Sequence, residues 1–288
     1  MSDLSSSVGT TTVAPASSRY PLSAPFRQEM MTTPGKQQLR LLSYNIQAGI
    51  ASVRFRHYLT NAWKHVLPHP KTMENLRLIA QLARDFDVVA LQEVDSGSLR
   101  SAFVNQVEYI AMYGHFPFWH HQTNRDFGKF AQYSNGLLSK IRPDEITEHK
   151  LPGIVPGRGV ILARYGQGEH PLIVVQAHLS LGRRARALQL EFIKELIAAH
   201  KHVVLMGDLN CQTDSGELNR LLDCTALCEL AETTQTFPSW KPSRCIDHIL
   251  VSTPLNATGM PLAEHKLSDH LPIAVTIDIP NDVGLLRD

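Results

Sequence analysis

The stretch His202–Gln212, HVVLMGDLNCQ, combines a buried strand with a polar pair at its end. The apolar run Val203 to Met206 has the length and β-branching of a strand covered on both faces. Because alternate residues of an extended chain point to the same side, Asp208 and Asn210 face one pocket if the strand geometry continues. Asp and Asn are also ordinary turn residues. The stretch therefore indicates a functional site only if polar residues from elsewhere join it.

The composition is that of one large globular domain, since 43% of the 288 residues are apolar and 19% are charged. A formal net charge of +1 gives no strong field for nucleic acid or an anionic membrane, so any polyanion must be bound locally. No segment approaches the roughly 20 apolar residues of a membrane span. The first 36 residues lack the apolar core of a secretory signal. We expect a cytoplasmic protein with no transmembrane segment and no obligate protein partner.

The four cysteines do not form a C-x-x-C pair, and a disulfide framework is not expected in a domain of this size. A zinc site is the alternative, but the spacing of its ligands is unsuitable, so we predict free thiols. That alternative site would use Cys224, Cys228, Cys245 and His248.

Residues 1–36 are rich in Ser, Thr, Pro and Ala and are predicted to be a disordered tail, which leaves 37–288 as the folded domain. Within this domain a strand–helix–strand pattern occurs twice, and such units usually return parallel and right-handed. Their polar strand ends should therefore meet at one sheet edge, where ligands bind in open α/β folds. The first unit comprises Leu39–Gln47, Lys71–Phe86 and Asp87–Glu93, and the second comprises Leu172–His178, Ala185–His200 and the strand before Gly-Asp-Leu-Asn. Further strands are predicted at Tyr133–Lys140, Gly159–Tyr165, Ser243–Ser252 and Leu267–Ile279.

The polar residues beside these strands suit phosphoester hydrolysis. Glu93 and Asp269, with the amide of Asn45, are hard oxygen donors of the kind that hold Mg²⁺ or Mn²⁺. Imidazoles and an amide can donate to phosphate oxygens, and a further carboxylate can take a proton from water. A Ser-His-Asp hydrolase is the rival, but the chain has no G-x-S-x-G elbow, and Ser268 is as well explained by a turn.

Seven motifs in order, SYNIQ, LQEVD, SNGLLS, AHL, GDLN, IDHIL and SDHLPI, resemble those of the endonuclease/exonuclease/phosphatase superfamily. This superfamily includes pancreatic deoxyribonuclease, apurinic endonucleases, neutral sphingomyelinases and inositol polyphosphate 5-phosphatases. The resemblance extends from Leu39 to about Ile279. It implies an α/β fold, a four-layer α/β/β/α sandwich with two central mixed β-sheets, and a metal-dependent phosphoesterase.

The resemblance also implies a role for each matching residue. Glu93 would be the principal metal ligand, with Asn45 and Asp269 beside the metal. Of the remaining residues, Asp208 would orient or deprotonate the water, although His270 is the alternative base, and Asn210 would bind the phosphate or the nucleophile. The other implied contacts to the scissile phosphate come from His178 and from His270, which Asp247 would orient.

Less specific signals concern the substrate. Asn135, Arg158, Arg183 and Trp240 are candidate substrate-binding residues, and for the two arginines a solvated surface role is an equal alternative. The AHLSLGRR stretch is closer to sphingomyelinase-like and uncharacterised bacterial members than to apurinic endonucleases. The expected substrate is a phosphodiester of nucleic acid, or a phospholipid or inositol phosphate head group. A phosphomonoesterase of the same fold and a catalytically silent binding module are the alternatives.

Overall fold

The computed structural model describes residues 11–13, 16–17, 37–49, 70–126, 132–153, 157–230, 234–262 and 266–285. These residues contain fourteen strands and four α-helices. The strands β1 to β14 are Thr11–Val13, Ala16–Ser17, Gln37–Asn45, Val88–Asp95, Phe118–Asp126, Gln132–Ser139, Glu145–Lys150, Gly159–Tyr165, Leu172–His178, His202–Asp208, Leu227–Cys228, Asp247–Ser252, Ala257–Met260 and Ile273–Ile279. The helices α1 to α4 are Pro70–Ala83, Gln106–Gly114, Arg183–Ile197 and Gly216–Asp223.

The strands form two seven-stranded sheets. The first has the order β13-β14-β3-β4-β6-β5-β2, and the second has the order β1-β7-β8-β9-β10-β12-β11. Both are mixed, because β3 pairs parallel with β4 and β9 parallel with β10 while their other pairs are antiparallel. The predicted α/β/β/α sandwich is thereby confirmed.

Side-chain alternation along the strands creates three hydrophobic layers. On β3, Leu39 and Leu41 pack between the two sheets, whereas Leu42 and Tyr44 pack on the side of α1 and α2. The second sheet buries its other face under α3 and α4. Polar side chains at the strand ends can therefore extend into the space between the sheets, where residues of both sheets contribute to one site.

The structure differs from the sequence prediction in how the two strand–helix–strand units are used. Each unit is parallel as expected, but β3–β4 lies in the first sheet and β9–β10 in the second. The last strand, β14, returns to the first sheet beside β3. The polar strand ends therefore meet across two facing sheets and not along the edge of one.

The remaining differences concern elements that no sequence pattern indicated. These are α2, α4, β5, β7, β11 and β13. Residues 11–13 and 16–17 of the predicted tail pair with β7 and β5, and the rest of that tail lies outside the described residues, as do residues 51–69. The four cysteines are free thiols, as predicted. No described helix is long and apolar enough to cross a membrane.

Candidate functional site

The candidate site lies between the sheets, where several strands end together. On the second sheet, Asp208 is paired in register with His178 on one side and with Asp247 on the other. On the first sheet, β3 ends at Asn45, and residues 269–270 lie just before β14, which begins at Ile273. The ladders of both sheets thus fix the backbone of residues that lie as far apart in sequence as 45 and 270.

Asp208 connects these residues. Its Oδ2 accepts a hydrogen bond from Asn45 Nδ2 across the sheets at 3.0 Å. The same oxygen lies 3.4 Å from His178 Nε2 and 3.9 Å from His270 Nε2. Its Oδ1 accepts from the backbone N–H of Asn210 at 3.0 Å. One buried carboxylate therefore contacts four of the residues that the motifs selected.

Glu93 enters the site because its strand is irregular. Val89 and Leu91 face the helix layer, and regular alternation would turn residue 93 the same way. Instead, β4 loses register with β6 between Leu91 and Val94, and Glu93 has a φ of 55°. Its Oε1 lies 3.9 Å from His178 Nε2. The bulge therefore turns this carboxylate into the layer between the sheets.

His270 is held by a buried acid. Its Nδ1 lies 2.8 Å from Asp247 Oδ2, which also accepts from Thr236 Oγ1 at 2.5 Å. The Phe237 ring packs on the imidazole with the ring centroids 4.8 Å apart, and the Arg244 guanidinium lies 4.5 Å from the Phe237 centroid. With Nδ1 engaged, Nε2 is the nitrogen that His270 directs toward Asp208.

Asn210 reaches the site by a different geometry from the one predicted. The extended chain ends at Asp208, and Asn210 has a φ of 52°. Its Nδ2 donates to the Leu179 carbonyl at 3.0 Å, next to His178 in the chain. Asp208 and Asn210 therefore belong to one site through a hydrogen-bonded turn and not through a continued strand.

Burial and mutual repulsion shift the acid–base properties of the site. Burial raises the pKa of Asp208 to about 7, with the charge of Asp247 adding to the effect. Burial, opposed by His270 and reinforced by Glu93, raises the pKa of Asp269 to about 6. For His270, burial lowers the pKa, but the carboxylate of Asp247 outweighs it and raises the pKa to about 10.

These carboxylates form a set that fits a divalent cation. The Glu93 carboxylate repels both Asp208 and Asp269, and its charge adds to the burial that raises the pKa of each of them. Asp208, Asp247 and His270 place candidate ligand atoms within 4.8 Å of one another, but Asp247 Oδ2 already accepts from Thr236 and lies against His270 Nδ1. Oxygen donors of the kind that a divalent cation prefers remain on Glu93, Asp269 and Asn45, whose Oδ1 atom accepts from the Gln47 N–H at 3.2 Å and keeps a second lone pair.

The predicted substrate-binding residues divide by position. Asn135 is buried and donates to the Gly159 carbonyl at 3.1 Å, beside the half-buried Arg158. Trp240 is half-buried and follows Ser239, whose N–H donates to the Asp269 carbonyl at 2.7 Å. By contrast, the Arg183 side chain is 78% exposed and its Nε lies 3.4 Å from Glu217 Oε2. Nothing in this geometry supports a substrate contact for Arg183.

Two further residues join the site from the loop that carries Trp240. Phe237 belongs to the aromatic stretch 237–240, which could line a pocket, whereas Thr236 contacts Asp247 without any periodicity or spacing that marks it in the sequence. Ser268, the residue of the rival serine mechanism, donates its hydroxyl to Asp269 Oδ1 at 3.2 Å. Its hydroxyl thus supports a carboxylate.

Comparisons with known proteins agree with this geometry. Residues 42–270 match the model of the Endonuclease/Exonuclease/phosphatase family. A protein of that description from Beutenbergia cavernae is 18% identical, with a TM-score of 0.65 over 85% of this chain and 72% of the other. The mannosyl-6-phosphatase Bt3783 of Bacteroides thetaiotaomicron is also 18% identical, with a TM-score of 0.59 over 83% and 99%. A humanized D. rerio TDP2 is 16% identical, with a TM-score of 0.61 over 84% and 99%. A search of the curated proteins finds no match.

Proposed function

Because the chain belongs to the endonuclease/exonuclease/phosphatase family, we propose that it is a divalent-metal-dependent phosphodiesterase. The observation that carries the proposal is the contact of Asp208 with Asn45, His178 and His270 across two sheets. An acid, two imidazoles and further carboxylates in one buried site are the groups that hydrolysis of a phosphoester requires.

In this proposal Glu93, Asn45 and Asp269 hold Mg²⁺ or Mn²⁺. When bound, such an ion neutralises phosphate oxygens and polarises the scissile P–O bond. Asp208 takes the proton of the water that attacks phosphorus in line with the leaving oxygen. Asp208 is suited to this because the Asn210 N–H fixes its Oδ1 while its Oδ2 faces both imidazoles.

The remaining residues stabilise the charge that develops on the phosphate. His178 and His270 direct their Nε2 atoms toward Asp208, where they can donate to non-bridging oxygens. Asp247 orients His270 through Nδ1, and Asn210 adds an amide donor. Trp240, Phe237 and the guanidinium of Arg244 lie on the loop that packs on His270, where a base or head group would be bound.

Hydrolysis of bis(p-nitrophenyl) phosphate tests the reaction class. We expect EDTA to abolish turnover and Mg²⁺ or Mn²⁺ to restore it. Full activity in EDTA would refute the metal dependence. A panel of single-stranded DNA and RNA, abasic DNA, phospholipids and inositol phosphates then identifies the substrate.

A phosphomonoesterase is the second candidate, and the similarity to a mannosyl-6-phosphatase favours it. Matched mono- and diesters of one leaving group decide between the two, because a monoesterase has the higher kcat/KM on the monoester. A silent binding module, the third possibility, predicts that neither ester is hydrolysed with any divalent ion.

A further inference from the structure

The orientation of Glu93 depends on a local distortion of the backbone. Its φ of 55° is uncommon for a residue other than glycine and persists only when the surrounding structure fixes it. The distortion coincides with the loss of register between β4 and β6 at Leu91 to Val94. The ladder to β6 is interrupted at Glu93, whereas on the other side β4 stays paired with β3 up to Gln92, whose carbonyl accepts from the Ile46 N–H at 3.1 Å. Any further restraint on the bulge comes from contacts outside the β4–β6 ladder.

One such contact comes from the opposite sheet. Gln176, on β9, donates its side-chain N–H to the carbonyl of Leu91 at 2.7 Å. Leu91 is the last residue of β4 in register with β6 before the bulge. The bond therefore ties the start of the bulge to the strand that ends in His178.

The surroundings make a glutamine at this position unexpected on packing grounds. Leu172 and Val174, which precede it on the same face of β9, belong to the apolar core between the sheets. Gln176 is fully buried, and its Oε1 has no hydrogen-bond partner among the residues that the structure describes. A buried amide with an unpartnered oxygen is unfavourable, whereas an aliphatic side chain would continue the core.

We propose that Gln176 is a positioning residue that fixes the β4 bulge and thereby aims Glu93 into the site. The inference rests on the proposed function only for the role of Glu93 as a metal ligand; the restraint on the bulge is independent of it. Gln176 does not touch the substrate. It restrains the backbone from which the Glu93 side chain projects.

Gln122 provides a matched control. It is also a buried glutamine that donates between the sheets, from β5 to the His149 carbonyl of β7 at 3.2 Å. Its Oε1 likewise has no partner within the described part of the chain. Gln122→Met and Gln176→Met therefore remove the same kind of bond from two places. Gln176→Leu is a second variant that lacks the donor but has another shape.

Two measurements on the full chain test the proposal. The first is hydrogen–deuterium exchange in EDTA, where we expect residues 91–95 to exchange at least tenfold faster in both Gln176 variants and unchanged in Gln122→Met. The second is the Kd for Mn²⁺ without substrate, which we expect to weaken roughly 10- to 100-fold in the Gln176 variants alone. Thermal unfolding of all three variants reports the general loss of stability that they share.

The outcomes separate the two proposals. Faster exchange spread evenly over both sheets, or equal effects from Gln122→Met and Gln176→Met, would overturn the positioning role. If the wild-type protein binds no Mn²⁺, the proposed function fails. The rate of hydrogen–deuterium exchange at residues 91–95 still decides whether Gln176 fixes the bulge. If Mn²⁺ binds normally to the Gln176 variants, the link to Glu93 is wrong.

Discussion

Asp208 is placed so that its loss should affect chemistry more than folding. In Asp208→Asn the remaining oxygen can still accept from the Asn210 N–H, so the turn is preserved. The amide cannot take a proton from water, and we expect turnover to fall by roughly 10² or more. Steady-state kinetics beside circular dichroism measure both effects. A variant that keeps turnover within threefold would remove Asp208 from the proposed mechanism.

His270 depends on the residue behind it. Asp247→Asn retains an oxygen for the Thr236 hydroxyl but no longer offers a carboxylate to His270 Nδ1. We expect a loss of turnover comparable to that of His270→Ala, roughly 10² or more, because the imidazole is no longer oriented or held charged. The double variant should then be scarcely worse than either single variant. Additive losses would show that the two residues act separately.

Gly207 determines how closely two strands approach next to Asp208. It has a φ of 149°, and an added Cβ would lie 1.8 Å from the Ala177 carbonyl oxygen of β9. We expect Gly207→Ala to lower the free energy of unfolding by about 3 kcal/mol or more, measured by urea titration. Gly259→Ala, where no atom lies within 4 Å, is the control and should stay within about 0.5 kcal/mol. Equal stability of the two variants would contradict this account of the strand contact.

A buried ion pair joins α3 to α4. Arg186 Nη2 donates to Glu217 Oε1 at 2.6 Å, and the Glu217 side chain is 3% exposed. Burial alone raises the pKa of Glu217, but the Arg186 hydrogen bonds outweigh it and hold the pKa below its ordinary value. The pair therefore stabilises the fold above the ordinary glutamate value of about 4.3, and that stabilisation is lost as pH falls through the lower folded value.

Substitution at this pair should show that pH dependence. Arg186→Met leaves the buried carboxylate with only the exposed Arg183 as a charged partner, and we expect it to cost about 3 kcal/mol at pH 7 and less below pH 4. Arg183→Met, which removes the exposed neighbour of the same carboxylate, should cost less than about 0.5 kcal/mol. Urea denaturation across this pH range measures both. A constant cost from pH 3 to pH 7 would mean that the Glu217 charge is not involved.

The same elements show which features a sequence can predict. β9 and β10 were predictable because continuous apolar runs mark strands buried on both faces. β7, EITEHK, was not predictable, since most of its residues are charged or polar and it has no continuous apolar run. Motif order selected the candidate site residues, but the orientation of the Glu93 side chain depends on register with β6, which no local pattern encodes. The proximity of Arg183 to Glu217, a residue of another helix, was equally absent from any local pattern.

The site joins the two sheets, so a bound ion should stabilise the whole molecule. Mg²⁺ at 100 times its Kd would add about 2.7 kcal/mol to the free energy of unfolding if it binds only the folded chain. We expect Mg²⁺ to raise the melting temperature of the wild-type protein but not that of the Glu93→Gln variant. Glu108→Gln, which alters an exposed acid on α2, is the control. An equal rise in all three proteins would point to nonspecific binding.

The place of β14 between β13 and β3 has a consequence for synthesis on the ribosome. β3, β4 and β6 of the first sheet are translated before β14, which pairs with β3 and begins at Ile273, shortly after Asp269 and His270. A nascent chain therefore cannot assemble the candidate site until β14 has left the exit tunnel. The late return of one strand delays completion of the site until both neighbours of β14 are in place.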